Sequence, residues 1–247
     1  MIKLFIVSDI HAHCRVLKRA LKDAGFDASK EDHHLLVLGD LFDRGNESFE
    51  VFDYIYTMYQ AKKATVILGN HDYFLLEFFE AQDDRTVFNI KHNGFAKILS
   101  SFSGIPVDLA SDFNKVRMAI RKRVKALEPF LKALPLFIET SDYIFTHGGV
   151  DGNNPAWKET DKKTFVWQYQ YDLEGIEGKT IIVGHMRTAH IRLKENPTLK
   201  LDPTNETLFQ PIERPGKVFI DGFVEFSNHI NVYNVLIDAK EKNSFNI

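Results

Sequence analysis

Apolar and polar positions along the chain fall into short blocks of two kinds that alternate. Ile2 to Val7 is apolar on both faces and rich in β-branched and aromatic side chains, as expected of a strand covered on both sides. Arg15 to Ala24 then sets Val16, Leu17, Ala20, Leu21 and Ala24 at helical spacing and stops at Gly25. The pair repeats, with Leu35 to Leu38 and Thr65 to Leu68 as strands and Phe49 to Tyr59 and Tyr73 to Phe79 as helices. Strands joined through helices run parallel and leave their carboxyl ends on one edge, where open α/β sheets bind ligands. From Asp84 to Lys132 the pattern turns polar and helical, which predicts a helical cap inserted over approximately residues 84–132. Strand-like runs return at Leu136 to Glu139 and Tyr143 to Thr146, and further strands are expected at Thr180 to Val183, Ala189 to Leu193, Lys217 to Ile220 and Asn231 to Asp238. The last alternates in a way that suits a second sheet. With no internal repeat, low-complexity tract or linker, residues 1–247 read as one α/β domain with two packed sheets.

Composition narrows the partners. The 247 residues, 44% hydrophobic and 26% charged, suffice for one full core. A formal charge of −3, from 31 Lys and Arg against 34 Asp and Glu, argues against a nucleic-acid polymer or an anionic membrane as partner. Any anionic substrate would then have to be attracted locally. Cys14, the single cysteine, cannot form an internal disulfide; the apolar N-terminal run is cut by Asp9 too early for a signal-peptide core; and no stretch approaches the roughly 20 apolar residues of a membrane span. A cytoplasmic location is expected.

Chemistry follows each apolar run. The first strand ends in Ser8-Asp9-Ile10-His11, the second in Gly39-Asp40-Leu41-Phe42-Asp43-Arg44-Gly45 and the third in Gly69-Asn70-His71-Asp72. Later runs end in Thr146-His147-Gly148-Gly149 and Gly184-His185. Oxygen and imidazole donors without thiolates suit Mn²⁺, Fe or Zn²⁺. Asp9, His11, Asp40, Asn70, His147 and His185 are more ligands than one catalytic ion with an open position can use, so two ions are expected, bridged by a carboxylate. Gly39, Gly69 and Gly184 are expected where the chain turns sharply off a strand in conformations closed to other residues. Singly, each motif has a plain structural reading as a turn or a core histidine. Unrelated turns, however, have no reason to deliver these residue types at successive strand ends.

Together these motifs resemble the calcineurin-like metallophosphoesterases, and within them the phosphoprotein phosphatase branch, which includes Ser/Thr protein phosphatases and symmetrical dinucleoside tetraphosphatases. The resemblance spans residues 1 to about 238 and implies a four-layer α/β/β/α sandwich. It implies that Asp9 and His11 hold a first metal, most simply Mn²⁺, that Asp40 bridges, and that Asn70, His147 and His185 hold the second. It makes His71 the general acid, oriented by Asp43, and Arg44 a ligand of the phosphoryl oxygens, with Arg187 a candidate second phosphate-binding arginine. A water bridging two cations loses its proton near neutral pH and becomes the nucleophile. The expected substrate is phosphoserine or phosphothreonine in a protein, and the alternative is diadenosine tetraphosphate. A non-catalytic scaffold is disfavoured because His71, Asp43 and Arg44 accompany every proposed ligand. The chain departs from the branch at Asp72, where eukaryotic members carry Glu, and at Met186-Arg187, where bacterial members commonly read Thr-Pro.

Other signals have plainer readings. Lys115, Arg117, Arg121, Lys122, Arg123 and Lys125, interleaved with Val116, Ala119, Ile120 and Val124, describe an amphipathic surface helix; the functional alternative is a cationic wall guiding an anionic substrate. Phe74, Phe78, Phe79 and Trp167 are expected in the core, whereas Trp157 is left either to packing or to the cleft border. His13 matches no ligand spacing, and nothing beside Cys14 activates a thiol.

Overall fold

The computed structural model describes residues 1–245. The first half runs β1 (Ile2–Val7), α1 (Cys14–Asp23), β2 (His33–Val37), α2 (Ser48–Gln60), β3 (Ala64–Val66) and α3 (Asn70–Phe79). Four helices follow, α4 (Asp83–Asn93), α5 (Phe95–Ser103), α6 (Phe113–Arg123) and α7 (Leu127–Ala133). The rest comprises β4 (Phe137–Glu139), β5 (Tyr143–Thr146), α8 (Lys162–Trp167), β6 (Thr180–Arg187), α9 (Thr188–Glu195), β7 (Ile212–Arg214), β8 (Lys217–Asp221), α10 (Val224–Ser227) and β9 (Tyr233–Ile237), with short 3₁₀ turns between.

Two sheets result, ordered β3-β2-β1-β9 and β4-β5-β6-β8-β7. In the first, β1, β2 and β3 are parallel and β9 closes one edge antiparallel; in the second, β5, β6 and β8 are parallel between antiparallel β4 and β7. Leu4, Ile6, Leu36 and Leu38 of one sheet meet Phe145, Ile182, Val218 and Ile220 of the other in a shared apolar layer. The alternate residues Phe5, Val7, Leu35 and Val37 face helices α1 to α3, while Ile144, Ile181, Val183 and Phe219 face Phe165, Val166 and Ile191 of α8 and α9. Helix, sheet, sheet and helix therefore stack in four layers, and burial on both faces explains why the central strands are apolar throughout.

Two expectations require correction. Ala189 to Leu193 is not a strand but the middle of α9: Thr188, Ala189 and Ile191 are buried on one helical face while His190 and the charged residues beyond point outward. A run this short carries too few apolar positions to separate the two periods. The Asn231 to Asp238 run supplies β9, which belongs to the first sheet rather than the second, pairing with β1 from Ile2↔Ile237 to Ile6↔Tyr233. Its alternation has a different cause: Val235 and Ile237 face the layer between sheets while Leu236 lies open on the other face.

The four helices after α3 do not stand apart from the core. Phe95, Ile98, Phe102, Val116, Ile120, Leu127 and Phe130 share one apolar cluster with Phe5, Val7 and Val37. The basic helix α6 is tied down: Arg117 is buried, donating to the Phe78 carbonyl (3.2 Å) and to Asp83 (2.7 Å), and Arg121 pairs with Glu128 (2.7 Å). Among the described residues no helix is long and apolar enough to cross a membrane.

Candidate metal centre

The carboxyl ends of β1, β2, β3, β5 and β6 meet at one rim. The Asp9 amide donates to the Gly39 carbonyl (3.1 Å), the His11 amide to Asp40 (3.0 Å) and the Gly184 amide to His147 (3.0 Å), so neighbouring loops brace one another. Backbone strain collects here. Asp9, His11, Asp40, Asp43, Arg44 and His185 all adopt positive φ, between 45° and 77°, a region that costs an L-residue about 1–3 kcal/mol and is concentrated at functional sites. Only Gly39 (φ +85°) shares that conformation among the three glycines singled out by sequence. Gly69 and Gly184 are glycine for want of room instead, since a Cβ would overlap the Asp40 amide at the first and the Ser8 hydroxyl at the second. Along β6 the pairing with β8 passes from Val183↔Phe219 to Arg187↔Asp221, four steps against two, and this bulge turns His185 toward the rim.

Asp40 sits in the middle. Its Oδ2 lies 3.7 Å from His11 Nε2 and 4.0 Å from His71 Nε2; its Oδ1 lies 3.4 Å from His147 Nε2 and accepts the His71 amide at the start of α3 (2.9 Å). Asp9 Oδ1 is 3.7 Å from His11 Nε2, Asp9 Oδ2 accepts the His185 amide (2.9 Å), and Asn70 Oδ1 is 2.9 Å from His147 Nε2. All six sequence-proposed ligands thus converge. Donor atoms close enough to share an ion form two groups around Asp40, one with His11 and with His71, which was not among the six, and one with Asp9 and His147. His11 Nδ1 faces the Phe42 carbonyl (3.0 Å) and His147 Nδ1 that of Leu38 (2.6 Å), so each ring can donate from Nδ1 while its Nε2 is turned toward the centre. Asp72, read from sequence only as a departure, ties two loops together by accepting the amides of Asp40, Leu41 and Gly69 (2.8–3.1 Å).

The electrostatics are those of a cation site. Burial lifts the Asp9 carboxyl to about 6, helped by Asp40. Burial also opposes charge on Asp40, but His147 and His71 outweigh it and hold that carboxyl well below the usual range. His147 is raised to about 10, with burial opposing and Asp40 and Asp9 prevailing, whereas burial beside His147 takes His185 down to about 3. His185 Nε2 is buried with no hydrogen-bond partner among the described residues. Buried carboxylates, an amide oxygen, imidazole Nε2 atoms aimed inward and one orphaned imidazole nitrogen fit divalent cations.

A cavity of about 260 Å³ opens over this centre, with Asp9, His11, Asp40, Asn70 and His185 at its base and His147 fully buried behind. Its nearer wall carries His71, whose Nδ1 is 2.7 Å from Asp43 Oδ2, and Arg44, whose Nη2 is 3.2 Å from His71 Nε2. Burial opposes charge on His71, yet Asp40 and Asp43 raise its pKa. The farther wall consists of Tyr169, Tyr171, Arg187, His190, Lys194 and Asp221. Apart from Arg187, the sequence did not point to these residues. Asp221 follows the strand-end rule and was findable; His190 and Lys194 share a face of α9 that the expectation of a strand conceals, and Arg187 ends β6 just before that helix. No described residue of α4 to α7 lines the cavity, so the basic helix is no wall to it. Trp157 is buried against Phe137 and Phe165, Trp167 packs on Tyr73 and Phe74, and Cys14 is buried, donating to the Glu50 carbonyl.

Against known proteins, residues 2–199 match the family described as calcineurin-like phosphoesterase. The symmetrical bis(5'-nucleosyl)-tetraphosphatase of Buchnera aphidicola subsp. Schizaphis graminum is 34% identical over 98 residues, 40% of this chain and 33% of that protein. The enzyme of the same name from Hamiltonella defensa is 25% identical over 227 residues, 91% of this chain and 70% of that one. The matched stretch spans about a third of the length of the first curated relatives. Among solved structures, one described provisionally as a diadenosine tetraphosphatase aligns with a TM-score of 0.55 at 15% identity, covering 96% of this chain and 95% of that one. A cold-active protein tyrosine phosphatase aligns at 0.53 and 15%, covering 95% and 73%.

Proposed function

Because the chain belongs to the calcineurin-like phosphoesterase family, we propose that it is a two-metal hydrolase whose substrate is a dinucleoside polyphosphate. The observation that carries the metal reading is Asp40, whose Oδ2 faces His11 and whose Oδ1 faces His147. Asp9, His11 and Asp40 would hold one cation, and Asp40, Asn70, His147 and His185 the other. Bound there, the cations would acidify an attacking water and offset charge gathering on the phosphoryl oxygens.

The remaining residues position the substrate and move a proton. Arg44 and Arg187 present planar forks that match pairs of phosphate oxygens in a way lysine does not. His71 donates from Nε2 to the departing oxygen, while Asp43 holds Nδ1–H and so fixes the ring. In the structure at rest Arg44 Nη2 lies against Nε2 of His71, a contact that must give way to the phosphoryl oxygens for that nitrogen to act. His71 is also close enough to Asp40 to be taken for a ligand, and its pairing with Asp43 is what favours the acid role.

The sequence alone put phosphoprotein ahead of dinucleotide. Two things favour the opposite order: the relatives named as symmetrical tetraphosphatases, and the farther wall, where Lys194 supplies a cation in addition to Arg187 and Tyr169, half exposed, lies against His185 (ring centroids 5.1 Å). Assayed side by side with Mn²⁺, diadenosine tetraphosphate should give a higher kcat/KM than a phosphothreonine peptide or an aryl phosphate, and two ADP as products. Preference for the phosphopeptide would restore the phosphoprotein reading.

A further inference from the structure

We propose that Glu225 is a positioning residue that draws Arg44 and Arg187 into a single two-guanidinium receptor for phosphate, a role that rests on the phosphoesterase reading above. One oxygen does this. Glu225 Oε1 accepts from Arg44 Nη1 and from Arg187 Nη2 (2.6 Å), joining residues that lie far apart in the chain. All three side chains are largely buried, with 28%, 24% and 21% of the side-chain surface of Arg44, Arg187 and Glu225 exposed, and the two arginines line the cavity while Glu225 does not. Glu225 Oε2 is buried with no partner among the described residues, so the carboxylate is committed through its other oxygen alone.

Each member is braced separately. The Arg187 guanidinium lies 3.9 Å over the Phe223 ring; Phe223 is held at φ +55° with its amide donating to Asp221 Oδ1 (2.8 Å), and α10, which carries Glu225, starts there. Arg44 reaches on to His71 Nε2, so the same carboxylate also orders the arginine that touches the proposed acid. Two guanidinium groups bonded to one oxygen are like charges at close range, and the shared carboxylate makes that arrangement tenable. Its effect on an incoming phosphate has two opposed contributions. As a negative charge Glu225 repels the anion; as a clamp it fixes two forks before binding, sparing the ordering of two long side chains. A charge-only account and the positioning account therefore predict opposite signs on removal.

The test compares wild type, Glu225→Gln, which keeps the shape and one oxygen acceptor, and Glu225→Ala, which keeps neither. Inorganic phosphate binding to the Mn²⁺-loaded proteins is measured by calorimetry alongside hydrolysis of an aryl phosphate. Positioning predicts phosphate binding weakened about tenfold in Glu225→Ala, the loss of roughly one charge-assisted contact, and less in Glu225→Gln, with KM rising more than kcat falls. It also predicts that in an Arg187→Met background Glu225→Gln has little further effect on phosphate binding, because the pair to be held no longer exists. Equal or tighter phosphate binding by Glu225→Gln overturns the proposal, and that variant decides the matter if the alanine variant does not fold. Wild type that neither binds phosphate nor turns over counts against the phosphoesterase reading instead.

Discussion

The two walls of the cavity differ in how they are built. On the nearer wall every chemistry-bearing residue sits within a few positions of a strand end, held by backbone bonds between loops and by positive φ angles at Asp9, His11, Asp40, Asp43 and Arg44. The farther wall is assembled from the end of β6, the face of α9 and a turn at Phe223, and its cations are anchored by side chains, Arg187 by Glu225 and Lys194 by the Tyr171 ring (4.3 Å). A wall fixed by backbone can hold donor atoms to the tolerance that metals demand. A wall fixed by side chains can be altered one residue at a time without disturbing the strands beneath. The first suits the reaction and the second suits the choice of substrate.

If that division is right, damage to the nearer wall lowers turnover on every substrate, and damage to the farther wall other than at Arg187, which shares the phosphate with Arg44, discriminates among them. The largest effect is expected at His71. His71→Asn should reduce kcat by about 10²–10⁴, the usual worth of a positioned acid, on diadenosine tetraphosphate and aryl phosphate alike, with bound metal unchanged by elemental analysis. Loss of a metal ion in that variant would make His71 a ligand and redraw the nearer wall. A smaller effect is expected at Lys194. Lys194→Ala should raise KM for diadenosine tetraphosphate several-fold, on the order of one exposed ionic contact, and leave aryl phosphate hydrolysis unchanged. Equal losses on both substrates would erase the distinction between the walls.

The same contrast governs what could be read from sequence. Strands β1, β2 and β5 and the loops after them were legible because doubly buried strands are uniformly apolar and their ends carry short, dense motifs; that is why Asp9, His11, Asp40, Asn70, His147 and His185 could be named together. The farther wall was not legible, because α9 presents too few apolar positions to show its period, which hides the common face of His190 and Lys194. Glu225 left no local trace at all, since its partners are 181 and 38 residues away. The edge strand β9 was found but placed in the wrong sheet, for alternation reports one buried face without saying which neighbour buries it. Gly69 and Gly184 likewise stood out as glycines, while the reason, a neighbouring chain where a Cβ would be, exists only in the folded state.

The central claim is that Asp40 joins two cations, and metal stoichiometry tests it most directly. Elemental analysis of protein loaded with Mn²⁺ and freed of excess should give about two ions per wild-type chain, the number a bridged hydrolytic centre requires, and no more than about one in Asp40→Asn. Two ions retained by Asp40→Asn, or fewer than two in the wild type, would contradict the account.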